Sequence, residues 1–277
     1  MALTKGQRSF YVMTIKVAIA GARGKMGMEA VHTIIKNEGM ELVAALDYKE
    51  VGTTLAALDE FPKQYEVPIY TNFPELVRDT KPDVLVDLTN PHFVYERTKQ
   101  ALLHNVRPVV GTTGFTDEQL EELQQIAKEK EIGCIIAPNF AIGAILMMKF
   151  AKDAAKYFPD VEIIEMHHDQ KLDAPSGTGI KTAQMISEVR NSKEQGHPDE
   201  KETHTGARGA NFEGMHIHSV RLPGLVAHQQ VLFGGTGELL TIRHDSLNRG
   251  SFMGGVTFSI EKVMNCNTLI YGLENII

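Results

Sequence analysis

The run Glu165-Met-His-His-Asp-Gln-Lys-Leu-Asp-Ala-Pro-Ser-Gly-Thr-Gly179 brings two histidines, a lysine and a turn that opens into a helix within fifteen residues. Histidine exchanges a proton most readily near neutral pH, and lysine adds a compact positive charge with protons of its own. The pattern predicts a strand over Val161 to His168, turn chemistry at Asp173-Ala-Pro-Ser-Gly177, and a helix from Thr178 through Val189. A strand end then faces a helix start, whose free N–H groups and positive dipole end suit a carboxylate or a phosphate. If the strand persists, His167 and His168 point to opposite faces, so that one meets the reacting atom while the other holds substrate or packs. The plain alternative is a surface turn that merely carries histidines. Lys171 and the Ser176-Gly177-Thr178 helix start weigh against it.

A second candidate site opens the chain. The apolar strand Ile15 to Ala20 runs into Gly21-Ala-Arg-Gly-Lys-Met-Gly27 and a helix through about Lys36. Glycines at 21, 24 and 27 let the backbone turn tightly and approach a pyrophosphate, which a helix N-terminus stabilises. Alone the pattern is equally a structural glycine turn. However, Glu41 to Leu46 reads as the next strand and ends at Asp47, where a carboxylate accepts both ribose hydroxyls of NADH. NADPH carries a phosphate there, for which Arg23, Lys25 and Lys49 are candidate cations. Gly21, Ala22, Arg23, Gly24, Lys25, Met26 and Asp47 are therefore the expected nucleotide contacts.

Further strands are expected at Lys81 to Thr89, Arg107 to Gly111 and Gly133 to Ala137, with helices at Val94 to His104 and Asp117 to Glu131. This alternation predicts an α/β, Rossmann-like unit. Phe140 to Phe158 reads as a packing helix, Asn191 to Ala210 as a long loop, and Met215 to Leu222, Gln229 to Phe233 and Glu238 to Asp245 as strands of a second, α+β unit. The apolar end Phe252 to Met264 would pack back on the first unit.

The chain has 277 residues with 43% hydrophobic content, enough for two domains and a full core, and a formal charge of −7. That charge argues against nucleic acid or an anionic membrane as partner. Two cysteines without paired spacing suit a reducing cytoplasm and exclude a disulfide framework. No run is apolar and long enough for a membrane span. Residues 1–12 fit neither a signal peptide nor the fold, and are expected to be a tag or disordered extension. His216-Ile-His218 would place two rings on one side of a strand, as a metal requires, but no carboxylates follow at matching spacing. No metal is expected.

The first segment resembles the signature of the 4-hydroxy-tetrahydrodipicolinate (dihydrodipicolinate) reductase family, which reads Glu-x-His-His-x-x-Lys-x-Asp-Ala-Pro-Ser-Gly-Thr. Every fixed position is matched, from Glu165 to Thr178. The resemblance implies NAD(P)H-dependent reduction of a small cyclic imine dicarboxylate in lysine synthesis by a homotetramer. It implies a nucleotide-binding domain from both chain ends (13–139 and 249–277) and a central substrate and oligomerisation domain (140–248). It also implies that Gly111, Thr112 and Thr113 with Ala137, Pro138, Asn139 and Phe140 line the nicotinamide and its ribose. On that reading His167 is the acid or base and Lys171 the charged proton donor, while His168, Ser176, Gly177 and Thr178 hold the carboxylates. One departure concerns the nucleotide: the family's frequent arginine after the acidic residue is Tyr48 here, so use of both NADPH and NADH is expected. A dehydrogenase acting on another imine, a catalytically silent nucleotide sensor and a metal-dependent hydrolase are the competing readings; none accounts for His167 to Thr178.

Overall fold

The computed structural model describes residues 14–49 and 52–277, and the expectation for residues 1–12 lies outside them. The chain divides into two compact units, one holding residues up to Pro138 with Val256–Tyr271, the other Asn139–Gly255 with Gly272–Ile277. Among the described residues no helix is long and apolar enough to cross a membrane.

The first unit alternates strand and helix: β1 (Ile15–Ala20), α1 (Lys25–Ile35), β2 (Met40–Leu46), β3 (Ile69–Tyr70), α2 (Phe73–Thr80), β4 (Val84–Asp87), α3 (Pro91–Leu103), β5 (Arg107–Val110), α4 (Asp117–Glu129) and β6 (Cys134–Ile136). Local chemistry sets the helix starts. Asn72 and Asn90 accept a backbone N–H at the heads of α2 and α3, and Thr116 with Gln119 forms a reciprocal capping box on α4. The central strands are buried on both faces, as a parallel sheet covered by helices requires; β4 is buried throughout.

The second unit follows with α5 (Ile142–Ala154), β7 (Asp160–His167), α6 (Gly177–Ser187), β8 (Ala210–Phe212), β9 (Met215–Arg221), β10 (Ala227–Gly235) and β11 (Glu238–Ser246). Its sheet runs β11-β10-β7-β9-β8, with β7 and β9 parallel and the remaining pairs antiparallel. Val161, Ile163, Met215, Ile217, Val231 and Phe233 form its core with Ala151 of α5 and Ala183 and Ile186 of α6.

The boundary between the units falls inside α7 (Met253–Val263), after which β12 (Leu269–Tyr271) completes the first sheet in the order β12-β6-β5-β4-β1-β2-β3. All its pairings are parallel. The order reverses at β1, so β1 and β4 flank the switch point where open α/β sheets bind ligands. The chain end does not stay with this unit: Lys149 donates to the Ile277 carbonyl, and Lys181 lies 3.5 Å from Glu274, both within the second unit. β3, α2, β8 and β12 were not anticipated from the sequence.

One strand links core to chemistry. On β7 the residues Val161 and Ile163 face the helices, and the same alternation carries Glu165 and His167 onto that face. Glu165 pairs with Ser219 of β9 and Gln229 of β10, and His167 with Arg221 and Ala227. An apolar ladder thus becomes a polar one within a few residues.

Candidate active site

Glu165 has no solvent exposure, yet it is held as a carboxylate. Burial alone would raise its pKa, but hydrogen bonds from His167, Arg221 and Ser219 outweigh that and lower it to about 2. Arg221 grips it in a fork, Nη2 to Oε1 at 2.7 Å and Nη1 to Oε2 at 2.9 Å, and the Ser176 N–H adds a bond to Oε1 at 3.1 Å. His167 completes the set with Nδ1 2.6 Å from Oε2. An ionised carboxylate only accepts, so Nδ1 must carry the hydrogen, and Nε2 is left to accept or deliver a proton.

The strand ends at His167, so the opposite-face placement foreseen for His168 does not arise; His168 is exposed in the turn beyond the strand. Lys171 reaches back to Asp173, Nζ to Oδ1 at 2.6 Å, with its side chain 22% exposed. α6 begins as foreseen. Ser176 is its N-cap, and its buried hydroxyl accepts from the Gly179 N–H at 3.1 Å, so it shapes the helix start from behind. Gly177 is exposed, with nothing within 4 Å of where a Cβ would stand, which leaves the first turn approachable. Thr178 hydroxyl lies 3.3 Å from the Asn139 amide nitrogen, and Asn139 in turn caps the Ala141 N–H at 2.8 Å. The second unit therefore gathers Asn139, Glu165, His167, Arg221 and the α6 start into one bonded set. Phe140 is buried at 3% exposure and Ala22 at 0%, so both would line a ligand by backbone or by packing.

In the first unit Gly21 (φ +81°) makes the turn after β1, in a conformation that side chains resist. A Cβ at Gly27 would collide with the Gly21 carbonyl, so α1 can lie this close to the turn only with glycine there. Gly24 is the N-cap of α1 and has no side chain to occupy the helix N–H groups. A cleft of about 420 Å³ opens here, lined by Gly21, Arg23, Gly24, Asp47, Thr89 and Arg97 among others. Asp47 stands just past the end of β2, half-buried. Lys25 is exposed at the first position of α1, and Met26 is half-buried on the same turn. Thr112 points inward, with Oγ1 3.4 Å from Asp87, while Gly111 and Thr113 remain accessible at the end of β5. Ala137 is buried at the end of β6, its N–H on the Val110 carbonyl, and Pro138 is exposed.

Three residues of the candidate site and cleft escaped the sequence reading. Arg221 looks like an ordinary strand end until β9 is laid beside β7. Asp87, only 1% exposed, collects Thr89 Oγ1 at 2.6 Å, Arg97 at 3.0 Å and Thr112, tying the loops after β4 and β5 to α3. Arg97 sits on α3, ten residues from its partner. Alternation along strands offered one signal, since an acid two residues before a histidine shares its face.

His218 is held by Glu162 at 2.8 Å, and its ring centroid lies 6.5 Å from that of His216. Among the described residues no three His, Cys, Asp or Glu side chains gather as metal ligands.

Residues 15–140 match the family described as "Dihydrodipicolinate reductase, N-terminus", and residues 143–277 its C-terminus. The chain is 75% identical over 265 residues to the 4-hydroxy-tetrahydrodipicolinate reductase of Lysinibacillus sphaericus, covering 96% of this chain and all of that one. To the enzyme of the same name from Bacillus pumilus it is 64% identical, covering 95% and 98%. A dipicolinate-bound dihydrodipicolinate reductase from Paenisporosarcina sp. TG-14 superposes with a TM-score of 0.88 at 66% identity, over 96% of this chain and all of that one. A dehydrogenase from Clostridium difficile, 16% identical with a TM-score of 0.63 over 95% of each chain, shares the fold alone.

Proposed function

Because the chain belongs to the dihydrodipicolinate reductase family, we propose that it reduces the cyclic imine dicarboxylate derived from 4-hydroxy-tetrahydrodipicolinate to tetrahydrodipicolinate, using NADPH or NADH. The observation that carries this reading is the buried Glu165 carboxylate, which Arg221 locks and which orients His167 beside a helix start. The glycine turn fits a dinucleotide: the Gly21–Gly27 approach leaves no room for side chains, and the bare N-terminus of α1 offers N–H groups to a pyrophosphate. Bound there, the reduced nicotinamide supplies hydride.

The protein's own residues manage charge and proton. The α6 N-terminus, with Gly177 and Thr178, receives a substrate carboxylate, and His168 a second polar group. Addition of hydride to a carbon conjugated with the imine leaves negative charge on the ring. Lys171 stabilises that charge and donates a proton, and His167 exchanges protons through Nε2 while Glu165 balances the imidazolium. Glu165 touches no reacting atom; it is a positioning residue. Asp47 takes the ribose hydroxyls. Gly111 and Thr113, with the Ala137-Pro138-Asn139-Phe140 stretch, line the nicotinamide end. A homotetramer in the cytoplasm fits the exposed Leu239 on the sheet face away from the helices and the two free cysteines, Cys134 and Cys266.

The test is loss of NADPH or NADH absorbance with substrate made in situ from aspartate semialdehyde and pyruvate. Turnover with either nucleotide is expected. Nucleotide binding without turnover would sink the reductase reading in favour of a sensor.

A further inference from the structure

The switch-point cleft holds both of its arginines in ion pairs, and the pairs differ in kind. Arg97 is tied to Asp87, an internal strut that is 1% exposed. Lys49 stands 5.2 Å from the centre of the Tyr48 ring, beside Asp47. The remaining pair lies at the mouth: Arg23 of the glycine turn donates to Glu60 Oε1 at 3.0 Å, with side chains 29% and 41% exposed. Both residues line the cleft together with Asp47.

Glu60 is presented by a built segment. Its neighbours Leu58 and Phe61 are buried, as are Leu55, Ala56 and Tyr65. Backbone bonds from Leu55 to Val67 at 2.8 Å, Ala56 to Tyr65 at 2.9 Å and Ile69 to Thr53 at 2.9 Å fasten both limbs, and the Tyr65 hydroxyl meets His32 of α1 at 3.2 Å. Its own backbone N–H and the Arg23 guanidinium hold the Glu60 carboxyl below the usual carboxylate range, so it is charged at neutral pH. Thirty-seven residues from its partner, a fastened loop thus delivers a second carboxylate to the wall that Asp47 already makes acidic.

We propose that Glu60 sets nucleotide preference: by engaging Arg23 and facing the ribose end of the cleft, it withholds a cation from a 2′-phosphate and holds NADPH affinity down relative to NADH. This rests on the first unit being the NAD(P)H site. NADH carries hydroxyls at that position and is indifferent to the pair, whereas NADPH must compete with Glu60 for Arg23.

Direct binding separates this proposal from the reductase reading, because it needs no substrate. NADPH and NADH are titrated by fluorescence against the full chain and Glu60→Gln, at low salt and at 1 M salt. Glu60→Gln should tighten NADPH by about tenfold at low salt, shift NADH by less than about threefold, and lose most of the gain at high salt. In Arg23→Gln/Glu60→Gln the NADPH gain should vanish. An unchanged NADPH-to-NADH ratio in Glu60→Gln, or a gain that survives loss of Arg23, overturns the role of Glu60 and leaves the reductase reading intact. If neither nucleotide binds the unaltered chain, both fall together.

Discussion

Replacing Glu165 by Gln keeps the size of the side chain and removes its charge and one acceptor oxygen. The carboxylate accepts from His167, both terminal nitrogens of Arg221 and the Ser176 N–H, so the amide cannot serve them all, and its NH₂ would face donors. Two effects follow. With its pKa lowered from 4.5 to about 2, Glu165 contributes roughly 3 kcal/mol at 1.36 kcal/mol per pH unit. Between those values the unfolded chain binds the extra proton, so the contribution is complete above pH 4.5 and is lost as pH falls towards 2. Catalysis should suffer too, because the imidazolium loses its counter-charge: kcat is expected to fall about 100-fold and the acid limb of the rate profile to move to lower pH. Urea melts of both proteins from pH 2 to 7 and steady-state rates from pH 5 to 9 test the argument. The wild-type advantage should shrink across the acid window. Parallel stability curves, or a variant with unaltered kcat and pH profile, would refute the role given to Glu165.

Lys171→Ala should lower kcat by about 100-fold or more with nucleotide binding unchanged, as titration of NADH fluorescence would show; equal kcat removes Lys171 from the chemistry. Gly27→Ala places a Cβ against the Gly21 carbonyl, so nucleotide affinity and Tm should both drop, and an unperturbed variant would mean the turn is looser than described. Phe233→Ala, in the buried core of the second unit, should cost about 3–5 kcal/mol in denaturant unfolding of that unit. A cost below about 1 kcal/mol would show that its ring is not packed as described.

How much of this was legible in the sequence depends on the range of the interaction. β1, its glycine turn and α1 follow from local rules, a buried apolar run and three glycines, and β1 matches its expected bounds. α6 was readable because Ser176 caps its own helix. β3 has two residues and β12 three, too few for any period to register, and Pro74 disguises the start of α2 although Asn72 caps it. The Arg221 fork closes 56 residues from Glu165, and nothing near either residue announces the other. The same holds for Glu60 and Arg23, where a long connection folds back on the glycine turn. The family resemblance implied 249–277 for the nucleotide half; the units divide at Gly255 and again at Tyr271, because the last six residues pack beside α5 and α6.

The parallel pairing of β7 with β9 has a kinetic meaning. β10 and β11 meet through a tight hairpin in which Gly235 faces Glu238, so they can form early from neighbours in sequence. β7 and β9 cannot; the chain must first pass through α6 and the segment before β8, and closing a 56-residue loop costs roughly 3–4 kcal/mol in chain entropy before any contact repays it. Glu165 and Arg221 sit on opposite sides of that closure. A refolding chain therefore recovers hairpin and helix signals before it recovers an oriented His167, and turnover is expected to return only after that non-local closure.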